Sequence, residues 1–424
     1  MATNNGDEDD GKGLHMSAKQ EKFMLQNYSK AIRYLQPHLT TKIMASTRIA
    51  LIACAIFTCL EFLRGNFKTA QTHLKNGLLV LQETYGDTHD GVVIMRTMDH
   101  TDRWITETFQ RLHIQVELFY LTHNHSSIIL QQNSSTSPPP QNTFPYLREA
   151  WSELNRIFYN IIALRNKAHL HHIPAGGSQN HGTCDSELIP LQQLLQASLH
   201  QWHTTYTSSK PHLDSEEPTL VINAMIMSFY TLAAILCSTS LSSELAYDAH
   251  TTRFLAIITY SAHLRTSRPP PKICDRAGFN MAHSIVDFGW IPPLYYTAIK
   301  CRVRRVRLYA LLLLESTMHR EGIWDCRIMS RIMRKVMEIE DGSLYGDDGE
   351  GYASETLPEL DGLGSPEVPL EKRLREIRVE MDDEMTENVM MEYKKACYPA
   401  GWERVRVCLT APYTGGIQLP GTIS

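Results

Sequence analysis

Apolar residues recur along this chain at the three-and-four spacing of helices and almost nowhere at the alternation of strands. Phe23, Tyr28, Ile32 and Leu35 form a first stripe that stops at Pro37. Ser46–Leu63 predicts an apolar helix with one interior acid, Glu61. Gly65 then offers a left-handed C-cap position and Asn66 a cap for the next helix. That helix, Phe67–Gln82, sets Ala70, Leu74, Leu78 and Leu81 on one face, with Gly77 permitting close backbone approach. So short a link predicts an antiparallel helix hairpin. It resembles half of a tetratricopeptide-type repeat, but no second copy follows at a fixed period, so no repeat array is predicted.

The helical pattern continues through Asp99–Thr122, Pro145–Leu170, Glu187–Tyr206, Leu220–Leu241 and Ser243–Leu264. Short helices follow at Phe279–Phe288, Pro292–Cys301, Arg304–Glu315 and Trp324–Glu338. The breaks are a low-complexity loop over 131–144 and the triple proline Pro269–Pro271. Residues 1–16 read as a disordered acidic tail, and 338–369, acidic and Gly-rich, as a disordered insertion. Within 370–424, Leu370–Ala396 reads as a charged helix and Arg404–Leu409 as a short strand, both packing on the helical domain of 17–337. The expected fold class is therefore all-α: antiparallel helix pairs stacked as an irregular α-superhelical bundle, with one short strand near the C-terminus.

Leu220–Leu241 runs 22 residues without a charge, the length of a membrane span. It also carries Asn223, Ser228, Thr231, Ser238, Thr239 and Ser240, and its flanks lack a Lys/Arg asymmetry. A helix apolar all round serves equally as the central helix of a soluble bundle, which is the expected role, with membrane association as an alternative. The 43% hydrophobic and 21% charged composition is ordinary for a globular protein, and a net charge of −5 gives no global attraction to nucleic acid. Nine scattered cysteines, several in apolar runs, predict free buried thiols and not a disulfide framework.

Catalytic signatures are sparse: no GxSxG, HExxH, CxxC, P-loop or GxGxxG string occurs, so no catalytic residue, cofactor or enzymatic activity is predicted. Asp382-Asp383-Glu384 lacks a third acid at the spacing of a metal-binding motif, Thr386 standing there instead, and reads as a solvated helix face. His169, His171, His172, His181 and Cys184 combine ligands that suit zinc, but their spacing fits no standard site and a polar loop is expected. His200 and His203 lie one helical turn apart without an identifiable third ligand, so no metal site is predicted there either. Charge, however, is uneven. Lys300–Lys335 holds ten Lys/Arg against three Asp/Glu, while Glu338–Asp361 holds nine acids and no base. The Lys300–Arg307 run offers a phosphate-binding patch or weak import signal. The plainer reading turns Val303, Val306, Ala310 and Leu313 inward and the arginines outward.

Two stretches together resemble a known family. Ala53–Leu81 carries Glu61-Phe62 and Gly65-Asn66-Phe67. Phe288–Asp325 carries Ile291-Pro292-Pro293-Leu294, Lys300-Cys301-Arg302 and Arg320-Glu321-Gly322 followed by Trp324-Asp325. These look like the C-terminal regulatory region of fungal-specific Zn2Cys6 transcription factors. The family's zinc-cluster spacing, CxxCx6C with a following CxxC, is absent from this sequence, so no zinc ligand carries over. The resemblance implies a nuclear, otherwise cytoplasmic, transcription-regulator homologue. It would work through protein partners (other regulators or a second copy) or a small-molecule effector, without specific DNA contacts of its own. An all-helical enzyme with an unrecognised pocket is the alternative from another class.

Overall fold

A computed structural model of the chain describes residues 18–39, 43–89, 92–95, 99–120, 130–132, 143–172, 181–213, 219–266, 289–316, 320–342, 357–359, 363–364, 366, 368–381, 389–397 and 401–409. The protein is mostly helical, with a small antiparallel sheet near the C-terminus. In chain order the elements begin α1 (Ala18–Leu39), α2 (Met44–Arg64), α3 (Phe67–Tyr85), β1 (Gly86–His89), β2 (Val92–Met95), α4 (His100–Tyr120) and β3 (Leu130–Gln132). They continue with α5 (Leu147–His172), α6 (His181–Leu213), α7 (Thr219–Thr239), a 3-10 segment at Glu244–His250, and α8 (Thr251–Thr266). Then come α9 (Ile291–Lys300), α10 (Arg304–Glu315), the two-residue strands β4 (Arg320–Glu321) and β5 (Trp324–Asp325), and α11 (Cys326–Asp341). The chain closes with β6 (Arg375–Met381), β7 (Val389–Cys397) and β8 (Gly401–Leu409). Two compact units divide the chain, residues 1–53 and 54–424, and the boundary falls inside α2.

In the first unit α1 runs through Pro37 to Leu39 instead of stopping there, and Phe23 and Ile32 of its stripe are exposed. In the second, the turn between α2 and α3 takes the expected form. Gly65 has φ +79°, its N–H donates to the Phe62 carbonyl, and the Asn66 N–H donates to the Glu61 carbonyl. Asn66 departs from expectation, because its side chain does not cap α3. It donates instead to the buried Glu61 carboxylate at 2.5 Å, which also accepts from Arg64 at 3.0 and 3.2 Å. Glu61 is thus a paired acid that ties the turn together. Gly77 is required by close approach: a Cβ there would lie 2.1 Å from the Phe109 ring. Replacing Glu61 with Gln should cost about 1–3 kcal/mol, since hydrogen bonds to an ionised acceptor are among the stronger ones. Urea unfolding of the full chain measures this, and a variant as stable as wild type would remove Glu61 from the account of the turn.

The helix buried on every side is α9, all ten of whose residues are inaccessible. It packs on α4, α7, α8, α10 and α11. Pro292 and Pro293 occupy its first positions, where a missing N–H costs nothing. The Glu321 carboxylate accepts from the Trp290 and Ile291 N–H groups at 3.2 and 3.0 Å, and Gly289 leaves room for it. The uncharged run is α7, which packs on α5, α6 and α8 and is buried along most of its length. Val221, Ala224, Met227 and Tyr230 form its one half-buried stripe. Among the described residues two helices, Met44–Arg64 and Val221–Thr239, are long and apolar enough to cross a membrane. The second is largely inside the protein, while Ile49, Ile56 and Leu63 of the first are exposed.

Near the C-terminus the structure corrects the expected helix over Leu370–Ala396. That segment holds β6 and β7, which pair antiparallel with each other, and β7 pairs antiparallel with β8. Ile377 and Val379, then Val389, Met391 and Tyr393, alternate inward at the strand period. Their charges pair across strands, Lys394 with Glu376 at 2.5 Å and Arg404 with Glu392. Glu338–Asp341, placed in the acidic insertion, belong to α11, which runs through Asp341. Leu363 and Val368, placed in it, are buried. The expected loop at 131–144 contains β3 at its start, and the expected helix Phe279–Phe288 and Asp382-Asp383-Glu384 lie outside the described residues.

Candidate functional site

Three of the five bases in the run Lys300–Arg307 belong to an internal charge network, while Arg304 is half-buried and Arg305 exposed. Val303, Val306, Ala310 and Leu313 are buried as expected, but so are Lys300, Arg302 and Arg307. Burial of a lone guanidinium is prohibitive, so partners must follow it inside. Glu340 of α11 supplies them: one oxygen lies 2.9 Å from Arg302, the other 2.7 Å from Arg307. The first also accepts from the Leu374 N–H at 2.9 Å, stitching the C-terminal segment to the helices. Glu244 pairs with Lys300 at 2.7 Å and with Arg302 at 3.3 Å. Burial opposes its ionisation, but Lys300 and then Arg302 outweigh this and hold its pKa below the ordinary value.

This network forms one wall of a cavity of about 210 Å³ between α4, α5, the Glu244–His250 segment, α9 and the start of β6. Arg165 reaches it from α5. Its guanidinium lies 3.3 Å from the Leu236 carbonyl and 3.4 Å from the hydroxyls of Thr239, Tyr247 and Tyr296. The two phenols are 2.9 Å apart. Burial works against ionising Tyr247, but Arg165 and then Lys300 bring its pKa down to about 8, whereas burial drives Tyr296 well above its usual value. Glu117 of α4 also lines the cavity. Asn166 donates to its Oε2 at 3.0 Å, while its buried Oε1 has no hydrogen-bond partner among the described residues. Burial, partly offset by the Asn166 bond, pushes this carboxyl up to about 8, so it is protonated at neutral pH.

The C-terminal sheet completes the site. A register shift between Arg375 and Arg378 marks a bulge, and Glu376 there has φ +46°, uncommon for a residue with a side chain. The bulge brings Arg375 and Glu376 to the cavity rim. Arg375 stacks on the Trp402 ring, 3.9 Å from its centre.

Sequence reasoning named none of Glu117, Arg165, Tyr247, Tyr296 or Arg375. The available signal was the isolated charge Glu117 in the apolar run QVELFY; Arg165, beside Asn166 and Lys167, carries no such signal. His169 lines the cavity, while the side chains of His171, His172, His181 and Cys184 lie outside the described residues, and the last two sit on α6 and not on a loop. His203 stacks on Tyr230 at 4.8 Å. No group of three metal-ligating side chains occurs among the described residues. Cys237, Cys301 and Cys326 are buried free thiols, Cys54 and Cys59 half-buried ones, while Cys397 and Cys408 are exposed, contrary to expectation. Burial pushes the Cys54 and Cys301 thiols up to about 11, which suits packing and not nucleophilic chemistry.

The two family-like stretches meet in space. Arg320 donates to the Phe62 carbonyl at 3.1 Å. Ring contacts run from Phe62 to Phe67, Phe119, Trp324 and Tyr295. No family model, curated protein or solved structure matches the chain.

Proposed function

We propose that this protein is a regulator that works by binding, a homologue of the Zn2Cys6 regulatory region in which the cavity at Arg165 receives a small-molecule effector and surrounding helices contact protein partners. The observation that carries this reading is the cavity, one wall of which is α9, the helix of the second family-like stretch that begins at Ile291-Pro292-Pro293-Leu294 and ends at Lys300. On this reading the helices form antiparallel pairs in an irregular superhelical stack, and the protein acts in the nucleus without catalysing a reaction. The burial of Arg302 and Arg307 supports the absence of specific DNA binding, because it withdraws two of the four arginines of the basic run from any phosphate.

Two measurements test the reading. The full chain, tethered to a reporter promoter through an unrelated DNA-binding domain, should change transcription, and Arg165→Gln should abolish the change. A reporter indifferent to the tethered chain would sink the regulatory role. In fluorescence titrations at physiological salt, the untethered chain should bind promoter fragments no better than random duplex. Saturable binding to one sequence that survives excess competitor would overturn that part.

An enzyme remains the second reading, favoured by the two titratable groups, Glu117 and Tyr247, brought near pH 8 in one cavity. Against it, the Glu117 carboxyl accepts from the Asn166 amide and is hydrogen-bonded to no nucleophile or base among the described residues.

A further inference from the structure

Charge around the cavity is unbalanced in one direction. Each ionised carboxylate on its wall is already neutralised: Glu244 by Lys300 and Arg302, Glu376 by Lys394 and Arg404. Two cations are not. Neither Arg165 nor Arg375 has a carboxylate within ion-pair distance among the described residues. Arg165 has only long contacts to neutral oxygens, and Arg375 is steadied by the face of Trp402, which leaves its N–H groups uncommitted. Its buried Nε has no hydrogen-bond partner.

The hydrogen-bonding inventory leans the same way. Where two phenols share a bond, one hydroxyl hydrogen is consumed and the other is left to donate. Glu117 holds its Oε2 toward Asn166, which places the carboxyl proton on the unpartnered Oε1. The wall therefore offers more donors than acceptors, although Glu244 Oε2, 3.3 Å from Arg302, is a buried acceptor without a hydrogen bond among the described residues. What completes it is an oxygen-bearing anion.

We propose that the cavity is an oxyanion site, taking a small organic acid through a carboxylate or phosphate group bound by Arg165 and Arg375, with the Tyr247–Tyr296 pair and the Glu117 carboxyl as further donors. This rests on the effector reading and names the chemistry of the effector. A cavity of about 210 Å³ suits a metabolite-sized molecule and excludes a peptide or nucleic acid. Arginine fits the role, since its planar fork meets two oxygens of a carboxylate or phosphate at once. Glu117 acts here as a neutral donor, which makes its replacement by Gln informative: the amide keeps a donor and adds no charge.

The test is calorimetric titration and thermal melting of the full chain against benzoate, succinate and phenyl phosphate, with benzamide and benzylamine as neutral and cationic counterparts. Benzoate or phenyl phosphate should bind at least tenfold more tightly than benzamide, and the ratio between the two anions distinguishes carboxylate from phosphate. Arg165→Gln and Arg375→Gln should each weaken the anion by tenfold or more, the scale of one lost hydrogen bond to a charged group. Glu117→Gln should leave binding within about threefold, whereas Glu117→Leu, lacking the donor, should weaken it. A Glu117→Gln variant that binds anions more than tenfold better would mean Glu117 is a repelling carboxylate, and would overturn its place in the site. Because Arg165→Gln also removes bonds to α7, its melting curve is compared with that of Arg375→Gln, which leaves those bonds intact. Preferential binding of benzamide or benzylamine overturns the oxyanion assignment while leaving an effector cavity. Failure of every probe to bind, with both arginine variants behaving as wild type, overturns both.

Discussion

Replacing Glu340 with Ala should remove about 3–5 kcal/mol of folding stability, the usual loss when one partner of a buried ion pair is deleted. Glu340 is 1% exposed and serves three groups: the Arg302 and Arg307 guanidiniums and the Leu374 N–H. Both guanidiniums are themselves buried, so the variant leaves positive charge inside without its main counter-ion. Glu244 remains 3.3 Å from Arg302 and Asp341 3.5 Å from Arg307, which limits the loss without cancelling it. The control lies two residues away. Glu338 pairs with Lys335 at the surface, and Glu338→Ala should change stability by about 0.5 kcal/mol or less. Urea unfolding of the two variants, read as midpoints at unchanged slope, gives the comparison. A Glu340→Ala loss below about 1 kcal/mol would show that the network carries little of the fold.

The same network explains why the sequence misleads here. Arg302, Arg304, Arg305 and Arg307 look alike in the string, and a run read as one basic patch does not separate Arg302, which precedes α10, and Arg307 from Arg304 and Arg305. The partners of Arg302 and Arg307, Glu340 and Glu244, stand 33 to 58 positions away in sequence, in an acidic stretch and in a 3-10 segment that periodicity does not resolve. The C-terminal sheet escaped for a related reason. Glu, Lys and Arg are good helix formers, and the cross-strand pairing that explains their spacing in β6 and β7 is non-local. What depends on local chemistry came through: the Gly65 turn, the close approach at Gly77, the apolar face of α3 and the burial of α7. The cavity needs several separate segments, from α4 to β6, and its key groups are polar residues scattered among them. Such residues flag themselves as costly to bury, but not as neighbours of one another.

The second large effect is expected at Trp324, where size and hydrogen bonding can be separated. Trp324 is 1% exposed and stands at the meeting of the two family-like stretches, its ring 5.3 Å from Phe119 and 5.7 Å from Tyr295, both edge-on. Trp324→Ala would open a large cavity beside α4 and α9 and should cost about 3–5 kcal/mol. The indole N–H, however, is buried without a hydrogen-bond partner among the described residues, so part of the Trp contribution is lost to an unsatisfied donor. Trp324→Phe keeps most of the aromatic surface and removes that donor, and should fall within about 1 kcal/mol of wild type. If the indole N–H were bonded, for instance through a buried water, the Phe variant would lose that bond as well as volume and drop by about 2 kcal/mol or more. Thermal and urea unfolding of the three proteins decide between these outcomes. A Phe variant as damaged as the Ala variant would mean that the aromatic chain from Phe62 to Tyr295 is held by the indole's polar end, and that packing is the lesser part.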